Sequence, residues 1–106
     1  RERMSLVERG PADLVLALAL VHHLAIGNNV PLEAIVAQLL ELGRRVVIEW
    51  VPKTDPQARR LLVSREDIFT NYSEAQFVAS CELHGRIEAR EALPGSARIL
   101  FTVVPR

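Results

Sequence analysis

Two adjacent imidazoles, His22 and His23, follow the longest apolar run of this 106-residue chain, and a carboxylate, Glu49, falls inside the next one. Imidazole changes charge near neutral pH, so one of the pair could serve as a general base. The same side chain is the commonest metal ligand. Neighbouring side chains diverge, however, and a mononuclear metal site wants three or four convergent donors. The third histidine, His84, belongs to a distant segment, so no metal site is assigned. Glu49 could reach a substrate, or could be a strand-end carboxylate paired with an arginine. His23 and Glu49 are therefore the catalytic candidates. Trp50 and Tyr72 could cover a substrate or fill the core, and Lys53 and Asp55 share that ambiguity. Arg59, Arg60 and Arg65 form a mild basic face that suits solvent.

The elements that must position these groups can be read from the pattern. Leu14 to Val21 is an uninterrupted apolar run, which suits a strand over Leu14 to Leu20 buried on both faces of a parallel sheet. Ligands of such sheets sit outside the carboxyl ends of the strands, so the functional edge is expected over Ala17 to His23. Gly27-Asn28-Asn29 supplies turn chemistry. Pro31 suits a first helical position, and Leu32, Ile35, Val36, Leu39 and Leu40 recur at helical spacing towards Gly43. The spacing predicts a helix over Pro31 to Leu42. Val46 to Val51 is rich in β-branched residues and reads as a second buried strand. Strand, helix and strand then make a βαβ unit with parallel strands.

Asp55-Pro56 reads as a cap with a first-turn proline, Ser64 to Asp67 as a second cap, and Ser73 with Gln76 as a capping box leading into a helix that carries Phe77, Val78 and Cys81. Arg86 to Leu93, a Pro94-Gly95-Ser96 turn and Ala97 to Val104 read as a hairpin. Arg1 to Arg9 reads as a helix tail or entry loop. The hairpin is expected to extend the sheet with its last strand beside the second, in the order first, second, fourth, third.

Thirteen basic and thirteen acidic side chains balance, which leaves no electrostatic case for nucleic acid. The longest apolar run is less than half of the roughly twenty residues that a membrane helix needs, so no membrane partner is expected. Cys81 is the single cysteine and cannot form an internal disulfide. A lone thiol on a predicted helix fits a reducing, cytoplasmic setting. There is no Gly-x-Ser-x-Gly elbow, no phosphate-cradling Gly-Lys-Ser/Thr loop and no Cys-x-x-Cys.

The order of elements, with Asp13-Leu14-Val15 through Val21-His22-His23-Leu24, Val46-Val47-Ile48-Glu49-Trp50-Val51-Pro52 and Tyr72-Ser73-Glu74 with Phe77, resembles the C-terminal half of a class I S-adenosylmethionine-dependent methyltransferase. The Gly27-Asn28-Asn29-Val30-Pro31 turn is less typical and resembles a bacterial subgroup related to nodulation proteins. The resemblance covers Asp13 to Val104. It implies an α/β fold, the C-terminal half of a Rossmann-like sheet with parallel strands and a terminal antiparallel hairpin, so that residues 1–106 form a single partial domain. It further implies S-adenosylmethionine as cofactor, a small-molecule methyl acceptor as partner, and Ala17, Leu18, Ala19 and His22 as the cofactor side of the site. For Ala17 to Ala19, core packing of a parallel strand is the competing reading.

The family's glycine-rich loop and ribose-binding acid match nothing here, since the five glycines include no Gly-x-Gly. The resemblance thus implies that the chain by itself is inactive and leaves the Leu14 to Val21 edge either open for a homo-oligomer or buried under Arg1 to Arg9. The competing class is a non-catalytic interaction module of the same shape.

Overall fold

The computed structural model describes residues 12–63 and 69–106. In chain order they form strand β1 (Val15–Ala17), a π-helical turn (His23–Gly27), helix α1 (Leu32–Leu40), strand β2 (Val46–Trp50), helices α2 (Pro56–Leu62) and α3 (Glu74–His84), and strands β3 (Gly85–Ala92) and β4 (Ile99–Pro105). The four strands make one mixed sheet in the order β1-β2-β4-β3. β1 and β2 run parallel, with Val15 opposite Val46 and Ala17 opposite Ile48. β4 returns antiparallel beside β2, so Ile99 lies opposite Trp50. The expected strand order and α/β class hold.

The residues explain the elements. Asp55 caps α2 by accepting from the Gln57 N–H at 2.8 Å, and Pro56 occupies the first turn, where its missing N–H costs nothing. Ser73 accepts from the Gln76 N–H at 3.2 Å and starts α3. On α1, Leu32, Ile35, Val36, Leu39 and Leu40 are buried, the stripe that the spacing predicts. Alternate residues of β2 and β4, namely Val46, Ile48, Trp50, Ile99, Phe101 and Val103, face the same core. Its centre is aromatic: Trp50 stacks on Tyr72 at 4.5 Å and on Phe77 at 5.2 Å, and Phe77 meets Phe101 edge-on. Trp50 and Tyr72 are thus core residues. Cys81 is buried in α3.

Close approach accounts for Gly43. A Cβ there would stand 2.6 Å from Val15 Cγ2 and 3.1 Å from the Ala12 carbonyl oxygen, where the chain before β1 bridges to Gly43. In the β3–β4 hairpin Gly95 takes a φ of 74°, a left-handed turn position that favours glycine. A bulge between Ile87 and Ala89 interrupts the β3 register.

The expected strand over Leu14 to Leu20 needs correction. Only Val15–Ala17 pairs as a strand, because Ala19 adopts a φ of 54° and turns the chain, and a helical turn begins at Val21. Nor is the run buried on both faces. Leu14, Leu16 and Leu18, alternate residues of the run that share one face, are 53%, 61% and 53% exposed, and no described element covers that face. Helix α1 ends at Leu40 rather than Leu42, and β2 ends at Trp50 rather than Val51. The readings of Arg1 to Arg9 and of Ser64 to Asp67 lie outside the described residues.

Candidate functional site

The antiparallel return of β4 brings its first residues to the carboxyl ends of β1 and β2, the edge where α/β sheets hold their ligands. Arg98, one residue before β4, reaches back across that edge. Its Nε donates to Asp55 Oδ2 at 2.8 Å, its Nη2 to Asp55 Oδ1 at 3.1 Å, and its Nη1 to Glu49 Oε1 at 3.4 Å. The Asp55 bond is a two-pronged guanidinium fork, which fixes direction as well as distance. Glu49 and Asp55 are only 8% and 7% exposed, so the cluster is a sequestered triad of two carboxylates and one guanidinium. The Arg98 hydrogen bond holds the Asp55 carboxyl below its ordinary value despite burial, and the same bond raises Arg98.

Glu49 does more than pair with Arg98. Its Oε1 also accepts the Ala19 backbone N–H at 2.6 Å, thirty residues away in sequence. That bond tethers the end of β2 to the left-handed Ala19 where the chain leaves β1. A carboxylate committed to a backbone amide and a guanidinium is a structural clamp; the strand-end pairing with an arginine is the role the geometry gives it.

His22 and His23 part company as adjacent side chains do. His22 is fully buried, with neither ring nitrogen in a hydrogen bond, while His23 is exposed. Their rings lie 4.4 Å apart and tilted by 40°. Burial holds the His22 imidazole below its usual 6.5, with His23 and Arg98 adding to that and Asp55 and Glu49 opposing it. It is a neutral ring at neutral pH, with an unused donor and an unused acceptor. Among the described residues no group of three or more His, Cys, Asp or Glu side chains could hold a metal ion.

Of the expected cofactor side, Ala17 is buried in the core, Leu18 is exposed, and Ala19 is an exposed small residue whose N–H is held by Glu49. Ala19, His22 and Glu49 do gather at one edge. Lys53 is half-buried in the loop that follows, and Arg59 and Arg60 are exposed on α2. His84 ends α3, where its Nε2 stands 3.4 Å from Glu33 Oε2. Sequence reasoning missed Arg98. The signal was present in the expected strand order, because a last strand antiparallel to the second must begin where the second ends.

A separate cavity of about 370 Å³ opens between the π-helical turn, the start of α1 and α3. Tyr72 is one of its walls, and the Tyr72 hydroxyl donates to the Val51 carbonyl. None of His22, His23, Glu49 or Arg98 lines it.

Among the described residues no helix is long and apolar enough to cross a membrane. No protein-family model matches the chain, and no solved structure matches it significantly. It is 45% identical over 102 residues to the Nodulation protein NoeA of Rhizobium meliloti (strain 1021), an alignment covering 96% of this chain and 21% of that protein. The chain therefore spans about a fifth of the length of the curated relative it matches.

Proposed function

We propose that this chain is the C-terminal half of an S-adenosylmethionine-dependent methyltransferase domain within a bacterial, nodulation-related protein, acting on a small-molecule acceptor. The observation that carries the reading is the sheet order β1-β2-β4-β3 with β4 inserted antiparallel, the arrangement that the methyltransferase resemblance implies. The relative's name supports the nodulation context.

The residues at the sheet edge are compatible with half of a cofactor site. Ala19 has no side chain beyond Cβ to block approach, Leu18 offers exposed apolar surface, and His22 holds two unused polar atoms. These residues would hold the cofactor's methionine end, and the bound cofactor would supply an electrophilic methyl group on a sulfonium. The chain's own contribution is position. The Glu49–Arg98–Asp55 clamp fixes the end of β2 and the Ala19 turn, and the neutral His22 is packed behind that edge, fully buried, with its donor and acceptor unused. His23, the accessible imidazole, is the residue able to take a proton from an acceptor hydroxyl or amine.

A second reading is favoured by the exposed row of Leu14, Leu16 and Leu18: a non-catalytic module of the same shape that uses the β1 edge to associate, including with a second copy. Titration calorimetry of S-adenosylmethionine into the complete gene product separates the two. Saturable binding weakened at least tenfold by His22→Ala supports the enzyme. Absence of binding, together with dissociation of an oligomer on Leu16→Lys, overturns it in favour of the module.

A further inference from the structure

The 370 Å³ cavity lies within the size range of small-molecule sites, and its lining is selective in charge and in polarity. Among the described residues its only charged lining residue is Glu33, and that carboxylate has His84 3.4 Å away. Among the described lining residues there is no lysine or arginine to compensate a phosphate or carboxylate, which disfavours an anion. Asn29, Asn71 and Gln76 contribute three primary amides, each offering two donors and an acceptor, and Ser80 adds a hydroxyl. Such groups match a ligand whose own atoms are donor and acceptor at once, as hydroxyls are.

The rest of the wall is apolar: Val30, Pro31 and Leu32 on one side, Phe69 and Tyr72 on the other. Apolar and aromatic lining beside three primary amides accommodates a molecule with C–H faces and hydroxyl groups. The start of α1 adds to this. Its N-cap, Pro31, makes no side-chain capping bond to the first-turn N–H groups, and Pro31, Leu32 and Glu33 all line the cavity.

We infer that this cavity is a binding site for a neutral, polyhydroxylated small molecule of the size of a sugar ring. The site goes beyond the methyl-transfer reading, because none of its walls belongs to the Glu49–Arg98–Asp55 clamp or the histidine pair, and occupancy can be read with no cofactor present.

Saturation-transfer difference NMR on the complete gene product tests it, with three probes run in parallel and no S-adenosylmethionine: methyl β-glucopyranoside, glucose 6-phosphate and choline. The expected result is a saturable signal from the glucoside, at least fivefold stronger than from the phosphate or choline. Asn71 and Gln76 are exposed, so Asn71→Leu/Gln76→Leu should keep the wild-type circular dichroism melt and reduce the glucoside signal at least fivefold. Gln38→Leu, on α1 away from the cavity, should leave the signal unchanged. No saturable glucoside signal, a stronger signal from either charged probe, or a glucoside signal indifferent to Asn71→Leu/Gln76→Leu would each overturn the assignment.

Discussion

Replacing Arg98 by Met keeps the aliphatic stem and removes the cation that pairs with Asp55 and Glu49, which are 7% and 8% exposed. Breaking a fully buried pair from one side costs ~3–5 kcal/mol. The Arg98 side chain is 20% exposed, so water can reach the vacated position, and about 2 kcal/mol is the appropriate figure. In a domain of this size that lowers the melting temperature by about 10 °C. The pH dependence gives the sign. The folded Asp55 carboxyl is held below its ordinary 3.8, so its stabilising contribution is present above that value and is lost as pH falls through the lower folded value. Arg98→Met removes the largest cause of that depression, and the gap between the two proteins should narrow below about pH 4. The assay is a set of thermal melts followed by Trp50 fluorescence. Glu49→Gln and Asp55→Asn added to Arg98→Met should recover at least half of the loss, since neutral amides do not strand a charge. Melts within about 2 °C of each other at neutral pH, or a gap that persists unchanged under acid, would falsify the view that the clamp is sequestered from water.

Gly43→Ala should destabilise by about 1–3 kcal/mol in urea titration, because the new methyl group meets Val15 and the Ala12 carbonyl at a chain crossing that cannot open without breaking the bridge. Burial pushes the Cys81 thiol up to about 12, so a disulfide reagent at mildly alkaline pH should leave the native protein unmodified and label it rapidly once urea unfolds it. The His22 imidazole is held below 6.5, so the unfolded chain takes up that proton first; stability from this group is present above 6.5 and falls as pH drops towards the folded value. His22→Phe should flatten the urea-unfolding profile across that window.

How much of this was legible beforehand depended on whether a residue acts locally. Asp55 and Ser73 cap their own helices within three residues, and the capping pattern found both. The β-branched run from Val46 located β2 to within one residue, and the crossover rule with a hairpin was enough for the strand order. The Leu14 to Val21 run misled because hydrophobicity records what a side chain prefers, whereas the break at Ala19 is held by a carboxylate thirty residues later. Nothing in the run itself marks an alanine for a left-handed φ. Arg98 was hidden for a similar reason, since its partners are 43 and 49 residues away and meet it only once β4 has docked.

The two ends of the sheet have opposite consequences for how copies of the chain could meet. β3 carries the bulge at Ile87/Ala89 and a line of exposed charge in Arg86, Glu88, Arg90 and Glu91, so its outer backbone is a poor template for another strand. β1 carries exposed leucines instead. A strand added to this sheet from elsewhere is thereby directed to the β1 side and kept from β3 while the bulge and the charges remain.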